Sequence, residues 1–274
     1  MLVFPNAKIN LGLNITEKRK DGFHNLETIF FPIGLKDVLE VSENHEKGFQ
    51  NSIDFSFSGF QIPGNADDNL IAKAYRLIRN DYPIPALHVH LHKAIPFGAG
   101  LGGGSSDVVF FMNQVDEMFS LNLSWGEKHN YAKQLGSDCS FFIVNKPCFA
   151  TGKGDDLEKI DFNLNGFYFV LIKPNIGVST AEAYSKVKAK LPEVSIKEII
   201  KMPMEDWKIY LKNDFEESVF AVYPEIETIK NEMYNAGAVY AAMSGSGSSV
   251  FGLFRNEKPR VKTQGEYFIW EEKI

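Results

Sequence analysis

Cysteine is nearly absent: of 274 residues only Cys139 and Cys148 carry a thiol. Two thiols build no disulfide framework, and neither stands in a CxxC or Cys/His spacing that would hold zinc. A basic excess is also missing. Lys and Arg number 29 against 35 Asp and Glu, a net charge of −6, whereas a nucleic-acid surface normally needs clustered positive charge. No apolar run reaches a membrane-spanning length, because Pro5, Asn6, Lys8 and Asn10 interrupt the first segment. That segment also lacks a charged-then-apolar leader with a cleavage site. These absences predict a cytoplasmic protein that works on small molecules without nucleic acid or membrane; a monomer or homodimer is expected.

What is present suits a packed fold. Hydrophobic residues make up 44% and charged residues 23%, close to globular averages, and the length allows one large domain or two ordinary ones. Residues 7–15 alternate, with Ala7, Ile9, Leu11, Leu13 and Ile15 on one face and Lys8, Asn10, Gly12 and Asn14 on the other. That is the pattern of a half-buried strand. A turn at Lys18–Gly22 returns the chain as a second strand over His24–Pro32, and further strands are expected over 37–41, 52–58 and 87–93. Asp67, Asp68 and Asn69 offer caps for a helix whose apolar positions are Leu70, Ile71, Ala74, Leu77 and Ile78. Helices are predicted from about Ser105 to Phe119 and again up to Gly136. After a strand over 166–173 the chain reads as mostly helical to Asn235, where Gly237 ends the last helix. Ser179…Glu182 and Ser195…Glu198 have capping-box spacing. A compositional shift near residues 152–165 predicts two domains, 1–157 and 158–274. Strands and helices mix without regular βαβ alternation, so the expected class is α+β.

The strongest local signal is Pro96-Phe97-Gly98-Ala99-Gly100-Leu101-Gly102-Gly103-Gly104-Ser105-Ser106. Its glycines let backbone N–H groups converge, and the following helix adds its positive end, which together make a phosphate cradle. Gly98, Gly100 and Gly103 match G-x-G-x-x-G, but the acids about 20 residues on, Asp116 and Glu117, fall in or just after a helix rather than at a strand end. No Gly-Lys-Ser/Thr triplet of a Walker loop occurs. A second loop of small residues, Ser244-Gly245-Ser246-Gly247-Ser248-Ser249, reads alone as a tight turn; paired with the first, it could close on phosphates. Lys8 by itself fits a solvated sheet face and Asp138 a helix cap. Phosphoryl transfer to an alcohol gives both a use, since it needs a carboxylate to orient the hydroxyl and a cation beside it. His88, His90 and His92 share one strand face, where two could chelate an ion. Nothing in the sequence completes such a site, so a polar outer face is expected and no protein metal site is assigned.

Ala7-Lys-Ile-Asn-Leu11, Asp21-Gly-Phe-His24, Asp68-Asn-Leu70, Pro96–Asp107, Leu135-Gly-Ser-Asp138, Gly177-Val-Ser-Thr180, Asn213-Asp-Phe-Glu216 and Met243-Ser-Gly-Ser-Gly247 span almost the whole chain. Taken together they resemble the GHMP kinases, the superfamily of galactokinase, homoserine kinase, mevalonate kinase and phosphomevalonate kinase. The first two motifs resemble the branch that phosphorylates the 2-hydroxyl of 4-diphosphocytidyl-2-C-methyl-D-erythritol in non-mevalonate isoprenoid synthesis. The resemblance implies an N-terminal domain like the second domain of ribosomal protein S5 and a ferredoxin-like C-terminal domain. It also implies ATP and Mg²⁺ as cofactors. It assigns Lys8 and Asp138 to catalysis, Pro96–Ser106 to the ATP phosphates, and Asn10, Phe23, His24, Thr180 and Tyr184 to the cytidyl substrate. Phe23 and Tyr184 fall in the two different expected domains, so a flat cytosine is expected between them across the cleft. Phe23 stands where tyrosine is common, and Val108-Val109 where small residues are usual. Two rival readings are a sister kinase for homoserine or a mevalonate derivative, and a non-catalytic binding module.

Overall fold

The structure, a computed structural model, describes residues 1–45, 52–255, 259–263 and 265–274. In chain order its first strands are β1 (Leu2–Val3), β2 (Asn6–Lys18), β3 (His24–Lys36), β4 (Val38–Glu43), β5 (Ile53–Gly59) and β6 (Leu87–Lys93), with helix α1 (Leu70–Asp81) between the last two. Helices α2 (Gly103–Met118), α3 (Trp125–Leu135) and α4 (Cys139–Val144) follow, then β7 (Cys148–Thr151), β8 (Asp156–Lys159) and β9 (Tyr168–Lys173). Five helices come next: α5 (Thr180–Ser185), α6 (Ile196–Ile199), α7 (Met204–Tyr210), α8 (Phe215–Val222) and α9 (Pro224–Asn235). The chain closes with β10 (Tyr240–Met243), β11 (Val250–Phe254) and β12 (Phe268–Lys273). The class is α+β, as the sequence predicts.

Two compact units form, and neither is a continuous stretch. One holds residues 1–7, 33–97 and 102–145; the other holds 8–32, 98–101 and 146–274. This partition differs from a single boundary near residue 157. The reason is that β2 and β3 belong to a four-stranded sheet of order β2-β3-β7-β8, which carries residues 8–32 into the second unit.

In the first unit a sheet of order β1-β4-β6-β5 pairs β4 with β6 antiparallel and β5 with β6 parallel. A parallel pair needs a crossover, and α1 supplies it. Asn69 caps α1, its Oδ1 accepting from Ile71 N at 2.9 Å, while Asp67 and Asp68 sit in a preceding 3₁₀ turn. Ile71, Ala72, Ala74, Tyr75 and Ile78 are buried on α1; Leu77 reaches only the margin. Leu87, Val89 and Leu91 of β6 face the core. Along the other face His90 lies between Ser56 (2.7 Å) and Ser58 (3.0 Å), His92 meets Ser58 at 2.9 Å, and His88 meets Asp54 at 2.9 Å.

In the second unit β10-β11-β9-β12 form an antiparallel sheet. Its core joins Val170, Ile172, Phe215, Val219, Ile226, Met233 and Val250. Gly237 follows α9 at φ +94°, the left-handed conformation that ends helices cheaply with glycine. One expectation is overturned here. Strand β2 is not half-solvated: Lys8 and Asn10, on its polar face, are each only 2% exposed.

Candidate active site

Lys8 is buried because two loops cover the polar face of β2. Its Nζ donates to Asn10 Oδ1 at 2.8 Å and to the Gly100 carbonyl at 3.1 Å, and lies 5.0 Å from the Phe30 ring centre. Its backbone N–H also donates to Leu101 O at 3.0 Å. Asn10 is committed on every side. Its Oδ1 accepts from Lys8, its Nδ2 donates to Thr28 Oγ1 at 3.0 Å, and its N–H donates to Ser244 Oγ at 3.3 Å. Asn10 therefore orients the lysine.

The two glycine loops meet at Gly100. Ser244 Oγ donates to Gly100 O at 3.0 Å, and a Cβ on Gly100 would lie 2.0 Å from the Ser244 carbonyl oxygen. Gly100 also has φ +74°, so both the backbone and the close approach require glycine. The second loop is held from below by residues not anticipated as functional. Asn213 Nδ2 donates to Met243 O and Gly245 O, both at 2.8 Å, and Glu216 Oε1 accepts from Met243 N at 2.9 Å. Both belong to the Asn213–Glu216 motif, whose polar groups directly before and within a helix were the available signal.

The remaining part of the first loop lies in the other unit, where Gly102 caps α2 at φ +70°. Pro96 is buried and Phe97 is exposed. In the first turn of α2, Ser106 is fully buried and its Oγ has no hydrogen-bond partner. Ser105 hydrogen-bonds the thiol of Cys139, whose pKa burial pushes up to about 12. Asp138 stands at the N-cap position of α4, with no capping hydrogen bond from its side chain to that helix. Beneath the loop, Lys93 Nζ donates to Asp37 and, at 2.7 Å, to Asp107 Oδ2. Burial holds the Asp107 carboxyl above the usual carboxylate range, against the pull of Lys93.

The aromatic residues are arranged differently from expectation. His24 stacks on Tyr184, with ring centroids 4.8 Å apart and planes inclined by 22°. Tyr184 is backed edge-on by Phe215 at 4.8 Å. His24 thus lies on a face of Tyr184 that a stacked base would use. Phe23 and Tyr184 also lie in one compact unit rather than in separate domains. Phe23 is 60% exposed, with Lys153 Nζ 5.1 Å from its centroid. Burial lowers the His24 pKa, and Lys18 lowers it further, which favours the neutral ring with one donor and one acceptor nitrogen. Thr180 opens α5, whose N-cap Ser179 accepts from Glu182 N at 3.1 Å.

Among the described residues no three of His, Cys, Asp and Glu gather to hold a metal. The magnesium ion that the resemblance implies would keep several waters and need few protein oxygens. The unpartnered Ser106 hydroxyl at the head of α2 fits such a role.

Residues 69–146 match the GHMP kinases N terminal domain and residues 195–266 the GHMP kinases C terminal domain. The chain is 50% identical to a 4-diphosphocytidyl-2-C-methyl-D-erythritol kinase of Bacteroides fragilis, covering 97% of this chain and 96% of that one. It belongs to the GHMP kinases. A Porphyromonas gingivalis protein of the same name is 42% identical over the full length of both chains. Among solved structures, a 4-(cytidine 5'-diphospho)-2C-methyl-D-erythritol kinase superposes with a TM-score of 0.78 at 29% identity, covering 92% of this chain and 90% of that one. A Methanococcus jannaschii mevalonate kinase, at 15% identity and a TM-score of 0.63, shares the fold. Membership of this kinase family implies the use of ATP.

Proposed function

We propose that this chain transfers the γ-phosphoryl group of ATP to the 2-hydroxyl of 4-diphosphocytidyl-2-C-methyl-D-erythritol. The observation that carries the reading is the buried ammonium of Lys8 at the junction of the two glycine loops. Backbone N–H groups of Gly98–Ser106 and the N-terminus of α2 hold the phosphates. Asp138 accepts the hydroxyl proton, and Lys8 stabilises the alkoxide and the charge spread over the transferring phosphoryl oxygens. Ser106 would hold Mg²⁺, which neutralises phosphate charge when bound. The exposed ring of Phe23 offers a face for the base. His24, neutral and oriented by Tyr184, offers a donor and an acceptor to its edge, and such contacts select cytosine where stacking alone cannot.

The test is ADP release with the cytidyl substrate, homoserine and mevalonate side by side. Turnover confined to the cytidyl compound supports the reading. Preference for either of the others moves the protein to a sister activity, and turnover of none leaves a binding module.

A further inference from the structure

Two buried carboxylates share one ammonium beneath the glycine loop. Asp37, Lys93 and Asp107 are 0%, 5% and 3% exposed. Charge balance needs only one of the two acids, and Asp37 already has a structural duty: its Oδ1 accepts from Ala94 N at 2.7 Å and Ile95 N at 2.8 Å. Asp107 has no such duty. Its Oδ2 meets Lys93 and its buried Oδ1 has no partner, so it brings a desolvation cost that an apolar residue would avoid.

Its position gives the compensation. The chain leaves this unit after Phe97 and returns at Gly102. Lys93 stands just before that departure, and Asp107 follows the first turn of α2 shortly after the return. A Cβ on Gly103 would lie 3.2 Å from Lys93 Nζ, so the ammonium sits directly under the head of the helix. Asp37 fixes the outgoing limb, Asp107 fixes the returning limb, and Lys93 ties them together.

We propose that Asp107 is a positioning residue for ATP: through Lys93 and Asp37 it clamps the two limbs of the glycine loop and sets the head of α2 against the phosphates. The inference rests on the phosphate-loop reading above and extends it to residues that touch no substrate. A loop pre-set in its bound geometry loses less freedom on binding, so the clamp acts on ATP affinity.

The experiment compares the full chain with Asp107→Ala and Asp107→Asn. It measures ATP binding by calorimetry, the KM for ATP and for the cytidyl substrate, and the melting temperature. Asp107→Ala is expected to weaken ATP binding and raise its KM by about ten-fold, with a much smaller change in the KM for the alcohol. Its melting temperature should hold or rise, because a desolvated carboxylate has gone. Asp107→Asn keeps an acceptor for Lys93 and should recover most of the lost affinity. Unchanged ATP affinity in the alanine variant overturns the proposal, as does an equal rise in both KM values, or an asparagine variant no better than alanine. An alanine variant that fails to fold also overturns it, since the second carboxylate would then be needed by the fold itself. If the wild-type chain binds ATP without phosphorylating the cytidyl compound, the substrate assignment fails and the calorimetry still decides the clamp.

Discussion

Each compact unit buries a lysine, and the two are held in different ways. Lys93, in the first unit, lies between two carboxylates. In the second unit, Lys8 donates to the Asn10 carboxamide oxygen and to the Gly100 carbonyl. Two carboxylates tie Lys93 into the fold of its unit, whereas Lys8 is held where the two glycine loops meet.

Exchanging each lysine for methionine is the most direct way to break that contrast. Lys8→Met should lower kcat by about 10²–10³-fold with little change in melting temperature, as for other positioned groups that meet developing charge. Retained turnover would return Lys8 to a packing role. Lys93→Met should do the reverse in kind. It leaves two buried carboxylates without a cation, a loss of about 3–5 kcal/mol that urea unfolding would register. In the second unit, Tyr184→Ala removes the ring on which His24 lies. It should raise the KM for the cytidyl substrate by about two- to ten-fold, the span of a ring-pair energy of ~0.5–1.5 kcal/mol. An NMR titration should show the His24 pKa moving up as its burial is relieved; an unmoved titration would deny that the stack sets this ring's environment.

The smallest effect belongs to the first unit. There Glu127 accepts from the Ser124 hydroxyl and N–H and from Tyr82, which hold its carboxyl down to about 2. A depressed pKa contributes stability above the unfolded value of 4.5 that fades as pH falls towards about 2. The melting-temperature gap between wild type and Glu127→Gln should therefore be constant near neutrality and narrow below pH 4.5. A gap independent of pH would mean that the charge of this cap does not contribute.

Local signals in the sequence carried the elements well. The glycines of 98–104 mark a strand-to-helix turn, Asn69 is a cap, and Gly237 follows the end of a helix. What a neighbouring sequence cannot supply is a partner far along the chain. The alternation of β2 is real, yet its polar side is buried, because the atoms that cover Lys8 and Asn10 come from Gly100 and Ser244. Ser195 illustrates the same limit. Its spacing to Glu198 suggests a capping box, but the hydroxyl accepts from Lys197 N and donates to Glu27, whose other oxygen takes Ile196 N. A carboxylate from β3 has displaced the local one. The complete box, at Ser124 and Glu127, was legible as S-x-x-E but lies beside a tryptophan rather than an evident apolar run. For the candidate site, the motifs draw attention to Lys8, which lies buried against Asn10 and Gly100, whereas the His24–Tyr184 stack and the Asp37–Lys93–Asp107 cluster depend on side-chain placement that spacing does not encode.

The two cysteines fall one to each compact unit, Cys139 at the start of α4 and Cys148 at the start of β7. Both are free and buried, and burial pushes their pKa values up to about 12 and about 11. In the closed protein neither presents a thiolate to a reagent, so alkylation has to wait for its surroundings to come apart. The chain thus carries an unengineered pair of clocks. Mass spectrometry of the two peptides after timed exposure to an alkylating reagent would read the opening rate of each unit separately, and ATP would slow whichever clock belongs to the part it closes upon.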